Sequence, residues 1–248
     1  MKFGGTSVGD IAKINNVANI IEKEVINKKL IVVLSAMAGE TNKMQNYIDA
    51  IKSEETIEND LILTSGENVT VGILSAILKK RNIKSIPLLG WQIPIITDEN
   101  HQKAKILNID KDRIDKFLKD NDVIVLAGFQ GINLNGHVTS LGRGGSDTTA
   151  VAIASAVKAE RCDIYTDVDG VYTTDPNIVQ DAKKIPKLAF EEMLEMSSTG
   201  AKVLHTRSVE LAMKNNLILQ VLSSLKKKSG TLIIDDKKLI EKEIVSGV

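Results

Sequence analysis

The chain has 248 residues, enough for one sizeable α/β domain or two lobes sharing a sheet, and its 43% hydrophobic and 26% charged content is ordinary for a globular protein. Its 32 basic and 32 acidic residues cancel and aromatics are 3%, so neither a global field nor base-stacking platforms favour nucleic acid. One cysteine, Cys162, excludes an intramolecular disulfide framework, no run approaches the ~20 apolar residues of a membrane span, and no signal-peptide pattern opens the chain; a cytoplasmic protein away from membranes is expected.

Short apolar runs alternate with helical patterns, which predicts an α/β fold with a mainly parallel central sheet covered by helices on both faces. Lys2–Phe3 reads as a short first strand ending at Gly4-Gly5. A helix follows from about Val8 to Asn27, with Ile11, Ile14, Val17, Ile21 and Val25 near helical spacing. LIVVLSA (30–36) has the unbroken apolar character of a strand buried on both faces. Helices are expected near 42–52 and 67–81, and strands near 84–89, 93–96 and 123–127. Asn135-Gly136 is the favoured pair for a type I′ hairpin turn. A helix over 147–158, a strand at CDIYTDV, helices near 190–195 and 200–214, and strands near 218–222 and 231–234 complete the pattern. The lysine run 226–228 reads as a solvated loop.

Two stretches carry the chemistry. KFGGTSVGD (2–10) places two glycines after a strand, with Thr6 and Ser7 available to cap the next helix and Lys2 to set a point charge on phosphate. SLGRGGSDTTA (140–150) repeats the theme: Gly144 and Gly145 clear side chains from the backbone, and Arg143 offers a planar fork for a carboxylate or phosphate. Ser146 is placed to cap and to donate, and Asp147 could hold Mg2+ or an ammonium group, or simply complement the helix dipole. Neither loop is a Walker motif. Exposed N–H groups at two helix starts make two anion sites.

TSGEN puts Glu67 at a helix start, where it either complements the dipole or grips a substrate ammonium. SAMAGET sets Ser35 and Thr41 at a strand end, where open α/β sheets bind ligands. YTDVDGVYTTDP sets Thr166 and Asp167 at another strand end, with Tyr172 as a candidate adenine neighbour and Asp175 beyond it. GAKVLH brings Lys202 and Val203 to a helix start. His101, His137 and His205 show no metal-ligand spacing, Trp91 reads as packing, and a GxSxG nucleophile elbow is missing.

The ordered set KFGGTSV, SAMAGET, SGE, GWQIPIITD, LAGFQG, LGRGGSDTTA, YTDVDGVYTTDP and GAKVLH resembles the aspartate kinases of the amino-acid-kinase family, over essentially the whole chain. The resemblance implies ATP- and Mg2+-dependent phosphorylation of the L-aspartate side-chain carboxylate, the first step toward lysine, threonine and methionine, in a homodimer. It implies catalytic roles for Lys2 and Asp147. Ser35, Thr41, Glu67, Arg143 and Ser146 would bind aspartate. Lys2, Gly4, Gly5, Thr6, Ser7, Gly144, Gly145, Thr166, Asp167, Tyr172, Asp175, Lys202 and Val203 would bind ATP. Mg2+ would be carried by the phosphates, with Asp147 reaching it through water. The alternatives are a kinase of the same fold for another carboxylate, carbamate or nucleotide, and an inactive ligand-binding fragment.

The resemblance also divides the chain into a catalytic domain over 1–235, with an aspartate lobe at about 1–145 and an ATP lobe at about 146–235. Residues 236–248 would be a linker toward regulatory ACT modules, so feedback by lysine or threonine is not expected within this polypeptide. Departures from the family pattern are the short start before Lys2, Asn177 where arginine is common, and Ser140 and Thr206 for the usual Thr and Pro.

Overall fold

A computed structural model describes residues 1–54, 56–176, 178–200, 203–226 and 228–235. The expectations for Asn177, Lys202 and the 236–248 linker therefore lie outside the described residues. The chain opens with β1 (Lys2–Phe3), a 3-10 turn at Gly5–Val8, α1 (Ile11–Glu24), β2 (Leu30–Leu34), α2 (Glu40–Ile51), α3 (Ile57–Leu63) and α4 (Ser65–Lys80). It continues through β3 (Ser85–Leu88), β4 (Ile95–Thr97), β5 (Ile106–Ile109), α5 (Lys111–Asp120), β6 (Val123–Ala127), β7 (Gln130–Ile132) and β8 (Val138–Ser140). Then come α6 (Gly145–Ala156), β9 (Cys162–Thr166), β10 (Val171–Tyr172), β11 (Lys184–Ile185) and β12 (Lys187–Ala189). The last described elements are α7 (Phe190–Thr199), α8 (Thr206–Lys214), β13 (Leu219–Ser223) and β14 (Thr231–Ile234).

Eight strands form one sheet in the order β12-β14-β13-β9-β1-β2-β6-β3. Every neighbouring pair is parallel except β13–β14. The two halves of the chain thus meet at the β9–β1 seam, where Lys2 pairs with Ile164 on one side and Val33 on the other. LIVVL and VIVLA carry no polar side chain on either face, so both faces must be covered. Val32, Leu34, Val123 and Val125 point to one side, against Ile14, Val17 and Ile21 of α1 and Val71, Leu74 and Leu78 of α4. Val33, Ile124 and Leu126 point to the other, against Ile114 of α5, Val151 of α6, Met193 of α7 and Val209 of α8. A smaller sheet, β5-β4-β7-β8, and the β10–β11 ribbon flank this body.

Several local expectations are corrected. Thr6 and Ser7 sit inside the 3-10 turn and cap no helix; α1 starts later, at Ile11, because Asp10 accepts the Lys13 N–H at 2.8 Å. Ser146 does not cap α6 either: that helix starts at Gly145 behind Gly144, whose backbone is left-handed (φ 71°), with no side-chain cap. The hairpin between β7 and β8 is not type I′, which needs positive φ at both central residues. Its turn bond runs from Gly136 N to Asn133 O (3.0 Å), with Leu134 and Asn135 in the centre and Gly136 alone at positive φ. Asn133 Oδ1, accepting from Asn135 N and His137 N, takes the place of the missing turn bonds.

The helix expected at 200–214 begins only at Thr206. Residues Ile57–Lys80 form a helical stretch of 24 residues whose most apolar 18-residue window has a mean hydropathy of 1.6, long and apolar enough to cross a bilayer. It is interrupted at Thr64, and Val71, Leu74 and Leu78 pack on the sheet, as in a core helix.

Candidate functional site

Parallel strands deliver their carboxyl ends to one edge, and the loops leaving β1, β2, β6 and β9 gather there with the amino ends of α4 and α6. Lys2 is 9% exposed, held between β2 and β9. Its Nζ lies 2.6 Å from Asp147 Oδ1 as an ion pair and folds back over Gly4, where an added Cβ would stand 3.4 Å from it. That pair joins the two glycine loops across the crevice.

The loop after β1 packs too closely for a side chain. A Cβ on Gly5 would meet Ala36 O at 2.9 Å, while Gly5 O accepts Ala38 N and Gly4 N donates to Tyr165 O. Thr6 is exposed. Ser7 is 2% exposed and turned inward: its N–H donates to Gly4 O and its Oγ pairs with Ser224 Oγ at 2.7 Å. The hydroxyl expected to meet phosphate is therefore engaged within the fold. Ser224 also accepts Asn16 Nδ2 at its carbonyl (2.6 Å) and donates its N–H to Thr166 O (3.1 Å), so it ties the first loop to the end of β9.

On the other flank, Ser35 follows β2, with its N–H on Phe3 O and its carbonyl accepting from Thr70 Oγ1 (3.0 Å). Thr41 lies half-buried in the first turn of α2. Glu67, third residue of α4, is 2% exposed. Its Oε1 accepts the Ala36 N–H at 3.1 Å, and its Oε2 is buried without a partner. Burial pushes its pKa up to about 7 against the opposing pull of the Ala36 N–H.

The second glycine loop is held on both sides. Gly145 N donates to Gly142 O at 2.9 Å, and a Cβ on Gly145 would press on the Phe129 ring at 2.7 Å. Gly144 lies directly under the His205 ring. Ser146 is 9% exposed and packs against Gly128, at the end of β6, where a Cβ would stand 2.8 Å from its own. Arg143 is exposed, and no hydrogen bond or ion pair is seen for it among the described residues.

Beyond β9, Thr166 Oγ1 donates to Asp167 Oδ1 at 3.0 Å, and Asp167 faces solvent. Tyr172 OH donates to Asp169 Oδ1 at 2.9 Å, with Lys184 and Lys226 at 3.8 and 3.9 Å from the same carboxylate. Asp175 accepts the Ile178 and Val179 N–H groups at its carbonyl in the following turn, and Val203 is half-buried ahead of α8. So Lys2, Gly4, Gly5, Ser35, Glu67, Ser146 and Asp147 gather at the carboxyl end of the sheet, while Tyr172 stands on β10 and Asp175 in the turn after it. A shallow depression of about 370 Å3 lined by Glu99, Asn100, His101, Lys103 and Lys105 is a separate surface feature.

Two residues that shape the site carry no motif of their own. Arg207 Nη1 donates to Leu141 O (2.8 Å) and Nη2 to Ala104 O (2.9 Å), and burial lowers its pKa. Asp60, fully buried, accepts Ser140 Oγ (2.5 Å) and Gln102 N (2.9 Å) and pairs with His101 Nδ1 (2.7 Å). The only signal in the sequence was a carboxylate inside an apolar run, IENDLIL.

A mainly parallel central sheet with two glycine-cleared loops facing one lysine is a frame suited to an anionic small molecule. Residues 1–223 match the Amino acid kinase family, and the chain belongs to it. It is 50% identical over 250 residues to a Pseudomonas putida protein named aspartate kinase, covering 100% of this chain and 61% of that protein. It is 48% identical over 253 residues to the Rickettsia felis aspartokinase, covering 100% and 63% respectively. The structure of Escherichia coli aspartokinase III in complex with aspartate and ADP superposes with a TM-score of 0.85 at 28% identity, over 98% of this chain and 64% of that one. The chain thus spans about three-fifths of the length of the relatives it matches.

Proposed function

We propose that this chain transfers the γ-phosphoryl group of ATP to the side-chain carboxylate of L-aspartate, giving 4-phospho-L-aspartate. The carrying observation is the Glu67 carboxylate, 2% exposed with Oε2 unpaired. An unpaired buried oxygen is costly until a cation reaches it, and the ammonium of an amino acid brings three donors. Arg143 complements it with a fork suited to the α-carboxylate, and Ser35, Thr41 and Ser146 stand beside that path. The relatives named aspartate kinase, and the aspartokinase bound to aspartate and ADP, support the same substrates.

The acceptor carboxylate is already ionised at neutral pH, so no strong general base is needed. One of its oxygens attacks the γ-phosphorus, a C–O–P mixed anhydride forms, and the bond to the ADP oxygen breaks. Catalysis then rests on alignment and on neutralising charge spread over the phosphoryl oxygens. Lys2 serves this from the crevice floor, its ammonium within reach of Asp147 on one side and of the Gly4–Gly5 backbone on the other. Gly144 and Gly145 let the chain approach an anion closely. Thr166, Asp167, Tyr172, Asp175 and Val203 frame the nucleotide side in this reading, with Thr6 at the open mouth and Lys202 assigned from the sequence alone.

No group of three or more His, Cys, Asp or Glu side chains suited to a metal ion occurs among the described residues. The residues present fit Mg2+ carried by nucleotide phosphates, with Asp147 the acid placed to reach it. Bound there, such an ion would supply neutralisation of phosphate charge.

Hydroxylamine trapping tests the proposal. Aspartyl hydroxamate should form only with ATP, Mg2+ and aspartate together, and Lys2→Ala should lower kcat at least ~100-fold. Turnover of acetylglutamate, glutamate or UMP in place of aspartate, or ADP binding without turnover, would overturn it.

A further inference from the structure

We infer that Asp60 is a positioning residue that sets the distance between the two arms of the amino-acid site. The inference rests on the reading of Glu67 and Arg143 just given. Asp60 is fully buried on α3, outside the crevice, yet its carboxylate is saturated by the segments that lead into the arginine loop. Oδ1 accepts both Ser140 Oγ at 2.5 Å and Gln102 N at 2.9 Å, and Oδ2 meets His101 Nδ1 at 2.7 Å.

Ser140 ends β8 three residues before Arg143. The 101–104 segment acts as its template: Ala104 N donates to Ser140 O at 3.0 Å, and left-handed Gly142 lies so close to Gln102 O that a Cβ would come within 2.8 Å. Arg207 clamps the same two segments from behind, through Leu141 O and Ala104 O. Meanwhile α3 runs through Thr64 straight into α4, where Glu67 stands, and the Thr64 carbonyl is itself fixed by Gln130 Nε2 at 3.2 Å. One carboxylate therefore joins the ammonium arm to the carboxylate arm, without facing the crevice.

A purely apolar contact at this place would hold the helices together but would not fix the register of the loop. Hydrogen bonds to a charged acceptor are short and directional, which is what register in a loop requires. Asn at position 60 can keep the geometry, accepting from Ser140 and Gln102 through its oxygen and donating to His101 through its amide. Ala cannot.

The test compares wild type, Asp60→Ala and Asp60→Asn by amide hydrogen exchange and by separate KM values for aspartate and ATP. Asp60→Ala should speed exchange over residues 140–145 and raise the aspartate KM about tenfold or more, the size expected for lost charged hydrogen bonds. The ATP KM should stay within about twofold, exchange in β6 should be unchanged, and Asp60→Asn should restore most of the loss. Should Asp60→Ala fail to fold, His101→Ala, which removes one bond at a partly exposed ring, should give the same pattern at smaller size. Unchanged exchange at 140–145, loosening spread evenly over the sheet, or equal rises in both KM values would overturn the inference. If the wild type does not turn over aspartate, the functional reading fails, while the exchange comparison still decides whether Asp60 positions the loop.

Discussion

Glu67 enters the crevice with one oxygen on a backbone N–H and the other bare, and burial raises its pKa from the ordinary 4.5 to about 7. Between those two values the folded protein binds the proton more tightly than the unfolded chain, so this group lowers stability as pH rises through that window and the loss is complete above it. Glu67→Gln should therefore be more stable than the wild type above pH ~7, by on the order of 3 kcal/mol, and indistinguishable below pH ~4.5. Calorimetric melting across pH checks it. In the proposed site the same proton would decide binding, because a neutral carboxyl does not hold an ammonium. For the wild type, the aspartate KM should rise about tenfold per pH unit below ~7, while for Glu67→Gln it should be high and flat. A wild-type KM that ignores pH from 5.5 to 7.5 would remove the carboxylate from the amino-acid site.

Elements meet the site through backbone as much as through side chains. At Gly144 the start of α6 demands two things at once, a left-handed backbone (φ 71°) and room beneath the His205 ring. Gly144→Ala violates both, at about 1 kcal/mol or more for the dihedral and a further ~1–3 kcal/mol for the overlap. Because His205 is exposed, His205→Ala alone should be close to neutral. Adding it to Gly144→Ala should return the steric part of the loss and leave the dihedral part, a coupling that a double-mutant cycle by denaturant unfolding measures.

Such positions also show what could be read in the chain. Gly4, Gly5, Gly144 and Gly145 were legible because a glycine pair beside a strand or helix start has few other uses, and Lys2 and Asp147 because they flank those pairs. The sheet was legible from LIVVL and VIVLA. The short α3 was hidden because IENDLIL has polar residues at three of its first four positions and runs straight into the polar stretch TSGEN, and α5 was hidden inside a charged stretch where only Ile114, Phe117 and Leu118 face the core. The caps assigned to Thr6, Ser7 and Ser146 failed because a hydroxyl near a helix start is ambiguous by a few residues, and here Asp10 and glycine backbone decide the starts. Asp60, Arg207 and Ser224 escaped notice for a different reason. Their partners are main-chain atoms or lone hydroxyls far along the chain, and no local spacing announces them.

Across the whole molecule, the sheet buries its centre on both faces, and Cys162 at the start of β9 reports on that burial. Its thiol is 1% exposed and pushed up to about 11 by desolvation. In the native protein at pH 8 it should resist a thiol reagent such as dithionitrobenzoate, and one thiol should titrate when denaturant unfolds the chain. Labelling that matches the rate of a free thiol under native conditions would mean that the β9 region opens locally rather than with the whole fold.

The two-residue β1 strand also has a bearing on how the molecule is made. It is filed between β2 and β9, strands from opposite halves of the chain. Lys2 leaves the ribosome well before Ile164, its second neighbour, has been synthesised. Until then β1 presents a bare rim, hungry for hydrogen bonds, that any passing strand could occupy. Lys2 is thus made well before both of its neighbours exist, so a nascent chain stalled ahead of β9 would carry the first glycine loop with one flank unpaired.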